Sequence, residues 1–83
     1  MKAFLISDNI DTATGMRLAG VEGVVVHEKQ ELIDAFSNVL DNSEIGIIFV
    51  TELLSTKFPE VVANIKLNYK RPLVLEIPDS LGS

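Results

Sequence analysis

Apolar residues follow two rhythms along this chain. Four short runs, at 3–6, 24–26, 45–50 and 73–77, are rich in β-branched and aromatic residues and mostly do not alternate. Continuous runs of this kind are the pattern of strands buried on both faces. Pro72 and Pro78 bracket the last run where a strand tolerates proline.

The intervening segments read as helices. In 11–20, Asp11 is a candidate N-cap and Gly20 a candidate stop. Gly15 costs that helix about 1 kcal/mol of intrinsic propensity, so packing must hold it. Next, Leu32, Ile33, Ala35, Phe36, Val39 and Leu40 mark one face of a 3.6-residue period, which Asp41-Asn42-Ser43 ends. Thr51-Glu52 is a capping signal, and Pro59 then divides a short turn from a helix over 59 to about 67. Val61, Val62 and Ile65 form the buried stripe of that helix.

The β-α-β-α-β-α-β rhythm predicts an α/β fold: a four-stranded parallel sheet with helices on both faces. The run at 45–50 is the most apolar and belongs in the centre. The expected order is 2-1-3-4, a Rossmann-like or flavodoxin-like arrangement shortened by one strand. Right-handed crossovers then place the first helix on one face and the later helices on the other. A first helix of about two turns cannot cover four strands. The sequence therefore predicts a partly bare apolar sheet face, to be covered by a partner or by a further helix.

Length makes the matter sharper. Eighty-three residues, 1–83, are read as a single small domain, yet 47% of them are hydrophobic. The chain has no cysteine and one histidine, His27, which excludes disulfides, thiolate chemistry and multi-histidine metal sites. A net charge of −5 argues against nucleic acid or an anionic membrane surface as partner. No apolar run exceeds four residues, against about 20 for a membrane helix. Asp8 ends the first run before it could serve as a signal segment. A cytoplasmic protein is expected.

Ligands of open α/β sheets bind beyond the carboxyl ends of the strands. That rim is predicted to hold Ser7, Asp8, Asp11, His27, Glu28, Thr51, Glu52, Asp79 and Ser80. One reading is a receiver-like signalling domain binding Mg²⁺ through Asp8 and Asp11. The plainer reading is that Asp8, Asp11, Glu28 and Glu52 favour helix N-termini. A receiver needs an aspartate where this chain has Thr51, and a lysine after a fifth strand. Phosphate-binding glycine motifs are missing, and Gly20 and Gly23 read as turn residues. His27 has no evident nucleophile in sequence reach, and Lys70-Arg71 reads as a solvated turn. No catalytic residue, metal ligand or cofactor is assigned. Met16, Arg17 and Leu18 are the candidate protein-interface residues, because they sit on the single helix of the under-covered face.

Four segments carry a family resemblance: Lys2-Ala3-Phe4-Leu5-Ile6-Ser7-Asp8, Gly15-Met16-Arg17-Leu18-Ala19-Gly20-Val21-Glu22-Gly23, Ile45-Gly46-Ile47-Ile48-Phe49-Val50-Thr51-Glu52 and Pro72-Leu73-Val74-Leu75-Glu76-Ile77-Pro78-Asp79. In this order they resemble the F subunits of the V/A-type rotary ATP synthases. The resemblance implies a small Rossmann-like domain and a non-catalytic rotor component of the central stalk. Such a component binds the coiled-coil shaft, formed by the D subunit, and turns inside the A/B hexamer. Through the C subunit it connects to the membrane ring, so that ATP synthesis or hydrolysis is coupled to proton or sodium transport. It would be peripheral to the membrane through the complex alone, on the cytoplasmic side. The family also carries a regulatory C-terminal helix. This sequence stops at Gly82-Ser83, so that helix is expected to be absent.

Overall fold

The computed structural model describes residues 1–79. Its elements are β1 (Lys2–Ser7), α1 (Ile10–Leu18), β2 (Glu22–Val25), α2 (Lys29–Leu40), β3 (Ile45–Thr51), α3 (Glu52–Lys57), α4 (Pro59–Asn68) and β4 (Leu73–Ile77). All strands are parallel, in the order β2-β1-β3-β4. Fold class and strand order agree with the hydrophobic rhythm.

Local chemistry sets the helix ends, with one correction. The N-cap of α1 is Asn9 rather than Asp11. The Asn9 side-chain oxygen accepts from the Thr12 N–H at 2.7 Å. Ser7 Oγ holds Asn9 in place, accepting from its N–H at 3.0 Å and donating to its carbonyl at 2.8 Å. Asp11 moves into the first turn, where its charge still opposes the positive end of the helix dipole. At the other end, the Gly20 N–H donates to Arg17 O and the Val21 N–H to Met16 O. Gly20 has φ +91°, the left-handed conformation that closes such a helix end. The start of α2 is held by Glu31, whose carboxylate accepts from the N–H groups of His27 and Glu28, each at 2.9 Å. Phe58 separates α3 from α4, and Pro59 opens α4 where a missing N–H costs nothing.

Helices α2, α3 and α4 cover one sheet face. Phe36, Leu32, Val39, Leu54, Val62 and Ile65 meet Ile6, Ile48, Val50 and Val74 in one apolar cluster, with Phe4 partly buried against it. Side chains alternate along a strand, so Leu5, Ile47, Phe49, Leu73, Leu75 and Ile77 belong to the opposite face. There α1 packs on β1 and β2. Gly23 allows that half to close: a Cβ at this position would lie 2.6 Å from the Leu5 carbonyl oxygen.

The expectation that every strand is buried on both faces fails at the edges. In β4, Val74 is 8% exposed, but Leu73 is 54% and Leu75 40% exposed. β2 likewise alternates between exposed and half-buried. A continuous apolar run shows that both faces of a strand carry apolar side chains. It does not show that the same chain covers them.

Phe36 is 1% exposed, and truncating a core aromatic costs about 3–5 kcal/mol. Phe36→Ala should therefore lose most of the stability of so small a domain, or not fold at all. A denaturant midpoint close to that of the parent would show that Phe36 is not core.

The Glu31 carboxyl is held below its ordinary value of 4.5 by the two N–H groups it accepts from. Glu76 is shifted the same way by its hydrogen bond from Lys66. A depressed pKa means that these groups stabilise the fold fully above pH 4.5. That contribution disappears as pH falls through the lowered values. Denaturation measured from about pH 6 down to about pH 3 should show this acid loss. Glu31→Ala should make the loss shallower, while an unchanged acid slope would contradict the assignment.

Candidate protein interface

The carboxyl edge of the sheet is tied together by its own side chains. Ser7, Thr12 and Thr51 are all buried there. Thr51 Oγ1 accepts from the Asp8 N–H at 3.1 Å. After β4 the chain crosses the end of β3 to reach the N-terminus of α1. The Asp79 carbonyl accepts from Thr12 Oγ1 at 2.7 Å and also from the Asn9 side-chain amide. Its carboxylate accepts from the Leu53 N–H at 2.7 Å. Of the polar groups predicted at this rim, Ser7, Thr51 and Asp79 brace neighbouring loops. Ser80 lies outside the described residues. Asp8 Oδ1 is buried without a hydrogen-bond partner. Even so, no group of three or more His, Cys, Asp or Glu side chains among the described residues could hold a metal ion.

The more distinctive surface is the α1 side of β3 and β4. The register sets Ile47 beside Leu73, Phe49 beside Leu75, and Thr51 beside Ile77. Leu73 and Leu75 are exposed, whereas Ile47, Phe49 and Ile77 are half-buried. These residues form a continuous apolar strip next to α1, and they stand outside the core cluster of the other face. The sequence pattern predicted such a face but did not name its residues. The signal was the handedness of the crossovers together with the shortness of the first helix.

The candidate residues on α1 divide into two kinds. Ile10, Thr14, Arg17 and Leu18 are all exposed and share one helical stripe. Leu18 is 87% exposed, high for a leucine. Met16 is half-buried. Met16 lies on the side of α1 that buries Thr12 and Ala13, whereas Leu18 lies on its outer, exposed side.

The chain is similar in sequence to known proteins. A family model described as ATP synthase (F/14-kDa) subunit matches residues 3–83. Similar curated proteins include the A-type ATP synthase F subunit of Thermococcus kodakarensis, 32% identical over 100% of this chain and 79% of the relative. The A-type ATP synthase F subunit of Pyrococcus furiosus is 36% identical over 100% of this chain and 80% of its own length. The corresponding protein of Methanothermobacter thermautotrophicus is 36% identical over 87% of this chain and 68% of its own length. With matches spanning strip, core and carboxyl edge alike, the chain belongs to the family of ATP synthase (F/14-kDa) subunits.

Proposed function

We propose that this protein is a non-catalytic rotor component that docks its open β3–β4 face onto the coiled-coil shaft, the D subunit of the complex. It would turn with the shaft inside the A/B hexamer, link through the C subunit to the membrane ring, and help couple ATP synthesis or hydrolysis to proton or sodium movement. Its place would be cytoplasmic and peripheral, through the complex. No helix among the described residues is long and apolar enough to cross a membrane.

The observation that carries this reading is the exposed pair Leu73 and Leu75 beside Phe49 on a half-covered sheet. Fully burying a leucine is worth about 1.5–3 kcal/mol, while an exposed ion pair contributes about 0–1 kcal/mol. The strip therefore supplies most of the affinity. In this reading Met16, Arg17 and Leu18 of α1 take part in the same contact, with Arg17 adding orientation more than strength. The hydrogen bonding at the carboxyl edge agrees with a non-catalytic role, since its hydroxyls already serve the fold.

Leu75→Glu should leave folding stability within about 1 kcal/mol, as a surface substitution does, and should abolish capture by the shaft protein. Arg17→Glu should weaken the same binding without abolishing it. Full affinity in the Leu75 variant, measured by calorimetry, would contradict the proposed face. Full affinity in the Arg17 variant would remove that residue from it.

A further inference from the structure

The sheet ends at β4 on one side, with no strand beyond it. Edge strands are ordinarily blunted by charge, bulges or covering loops, because their unpaired N–H and C=O groups invite another strand. β4 has little of that protection. Its one charged residue, Glu76, is held by Lys66 of α4. Leu73 and Leu75 are exposed on it, and Leu67 and Tyr69, also exposed, line a pocket beside it with Pro72 and Val74.

The hand of the sheet decides which backbone groups of β4 face outward. Ser7 has its side chain on the same side of the sheet as Leu5, and its carbonyl accepts from the Val26 N–H at 2.8 Å, in the direction of β2. All strands are parallel, so every residue with its side chain on that side turns its backbone groups the same way. In β4 those residues are Leu73, Leu75 and Ile77, whose groups therefore face β3. The N–H and C=O groups of Val74 and Glu76 face outward. Pro72 and Pro78 share that parity, and there a missing N–H leaves no ladder bond unmade.

This edge is complementary to itself. Turned end for end about Leu75, it sets Leu75 opposite Leu75 of a second copy, Leu73 opposite Ile77, and Arg71 opposite Asp79. Val74 and Glu76 then face each other as a hydrogen-bonded antiparallel pair, exchanging both bonds, and symmetry repeats the pair. Charge selects this register. A two-residue slip one way puts Glu76 opposite Glu76 and Leu73 opposite Asp79; the other way puts Arg71 opposite Ile77. Opposite charges across a strand pair are favourable and like charges unfavourable. In the selected register the two Glu76 carboxylates lie only diagonal to each other, and each is held by its own Lys66. Lys70 has no charged residue opposite it in any of the three registers. One Asp79 carboxylate oxygen accepts from the Leu53 N–H, and a carboxylate has a second oxygen to offer an arginine.

We propose that the free chain pairs with a second copy of itself, β4 against β4, antiparallel about a two-fold axis at Leu75. The pairing joins two four-stranded sheets into one. A two-fold contact uses the β4 edge of both copies and so stops at a dimer. It needs no shaft, and it gives Leu73 and Leu75 a partner before assembly.

Sedimentation equilibrium of the free chain should approach twice its 9.1 kDa mass at high concentration and return to the monomer on dilution. Over the same range the Val74 and Glu76 amides should gain and lose protection from hydrogen exchange. The chain has no cysteine, so single thiols read the register. Leu73 and Ile77 form a non-hydrogen-bonded pair, whose spacing of about 4.5 Å between Cα atoms suits a disulfide. Leu73→Cys and Ile77→Cys, mixed and oxidised, should give the mixed disulfide in excess of a random mixture. Arg71→Glu sets a glutamate opposite Asp79 twice over and should weaken the dimer about tenfold. A monomer at every concentration overturns the pairing. A dimer whose Val74 and Glu76 amides exchange freely overturns the choice of edge. Disulfides that favour like with like, or unchanged association of the Arg71 variant, overturn the register. All of these results are read on the free chain and leave the shaft reading to its own test.

Discussion

The hand of the crossovers governs this structure. Because each β-α-β unit turns right-handed, the order β2-β1-β3-β4 sends α1 to one side and α2, α3 and α4 to the other. Three helices over four strands make a complete core around Phe36. One nine-residue helix over the same sheet does not. The apolar strip of Phe49, Leu73 and Leu75 follows from that imbalance.

The strip also constrains what the rest of the molecule can do. The carboxyl edge, where α/β enzymes usually keep their chemistry, is here a set of braces. Asn9, Thr12 and Leu53 all bond to Asp79, fixing the exit of β4 against α1 and α3. Those bonds tie the exit of β4 down while its outer face stays open. The proposed rotor role calls for this combination, since force passes through a surface only as well as the surface keeps its shape.

Much of this was legible in the sequence. The runs at 45–50 and 73–77 became β3 and β4 with boundaries shifted by one residue or none, because β-branched stretches bounded by turn residues leave few alternatives. The stripe Leu32, Phe36, Val39 gave α2 its buried face. Other features were not legible, for physical reasons. Asn9 took the cap expected of Asp11 because Ser7 Oγ fixed its backbone, a contact that depends on how β1 ends. The role of Asp79 depends on partners about seventy residues away in sequence, as its bonds to Asn9 and Thr12 show. Gly23 read as a turn residue, yet it also makes room for Leu5 across the strand pair. The exposure of Leu73 and Leu75 could not be read from β4 itself, since a covered and an uncovered apolar face have the same composition.

The central claim is that the open half of the α1 face is where this protein meets its shaft. Methyl NMR on the free chain and on its complex with the shaft protein reads that face residue by residue. The account predicts that the methyl resonances of Leu73, Leu75, Ile77 and Ile47 shift or broaden on binding, while those of Leu32, Val39 and Val62 in the enclosed core stay in place. Changes confined to the α2–α4 side, at Ile33 and Val61, with Leu73 and Leu75 unmoved, would contradict it.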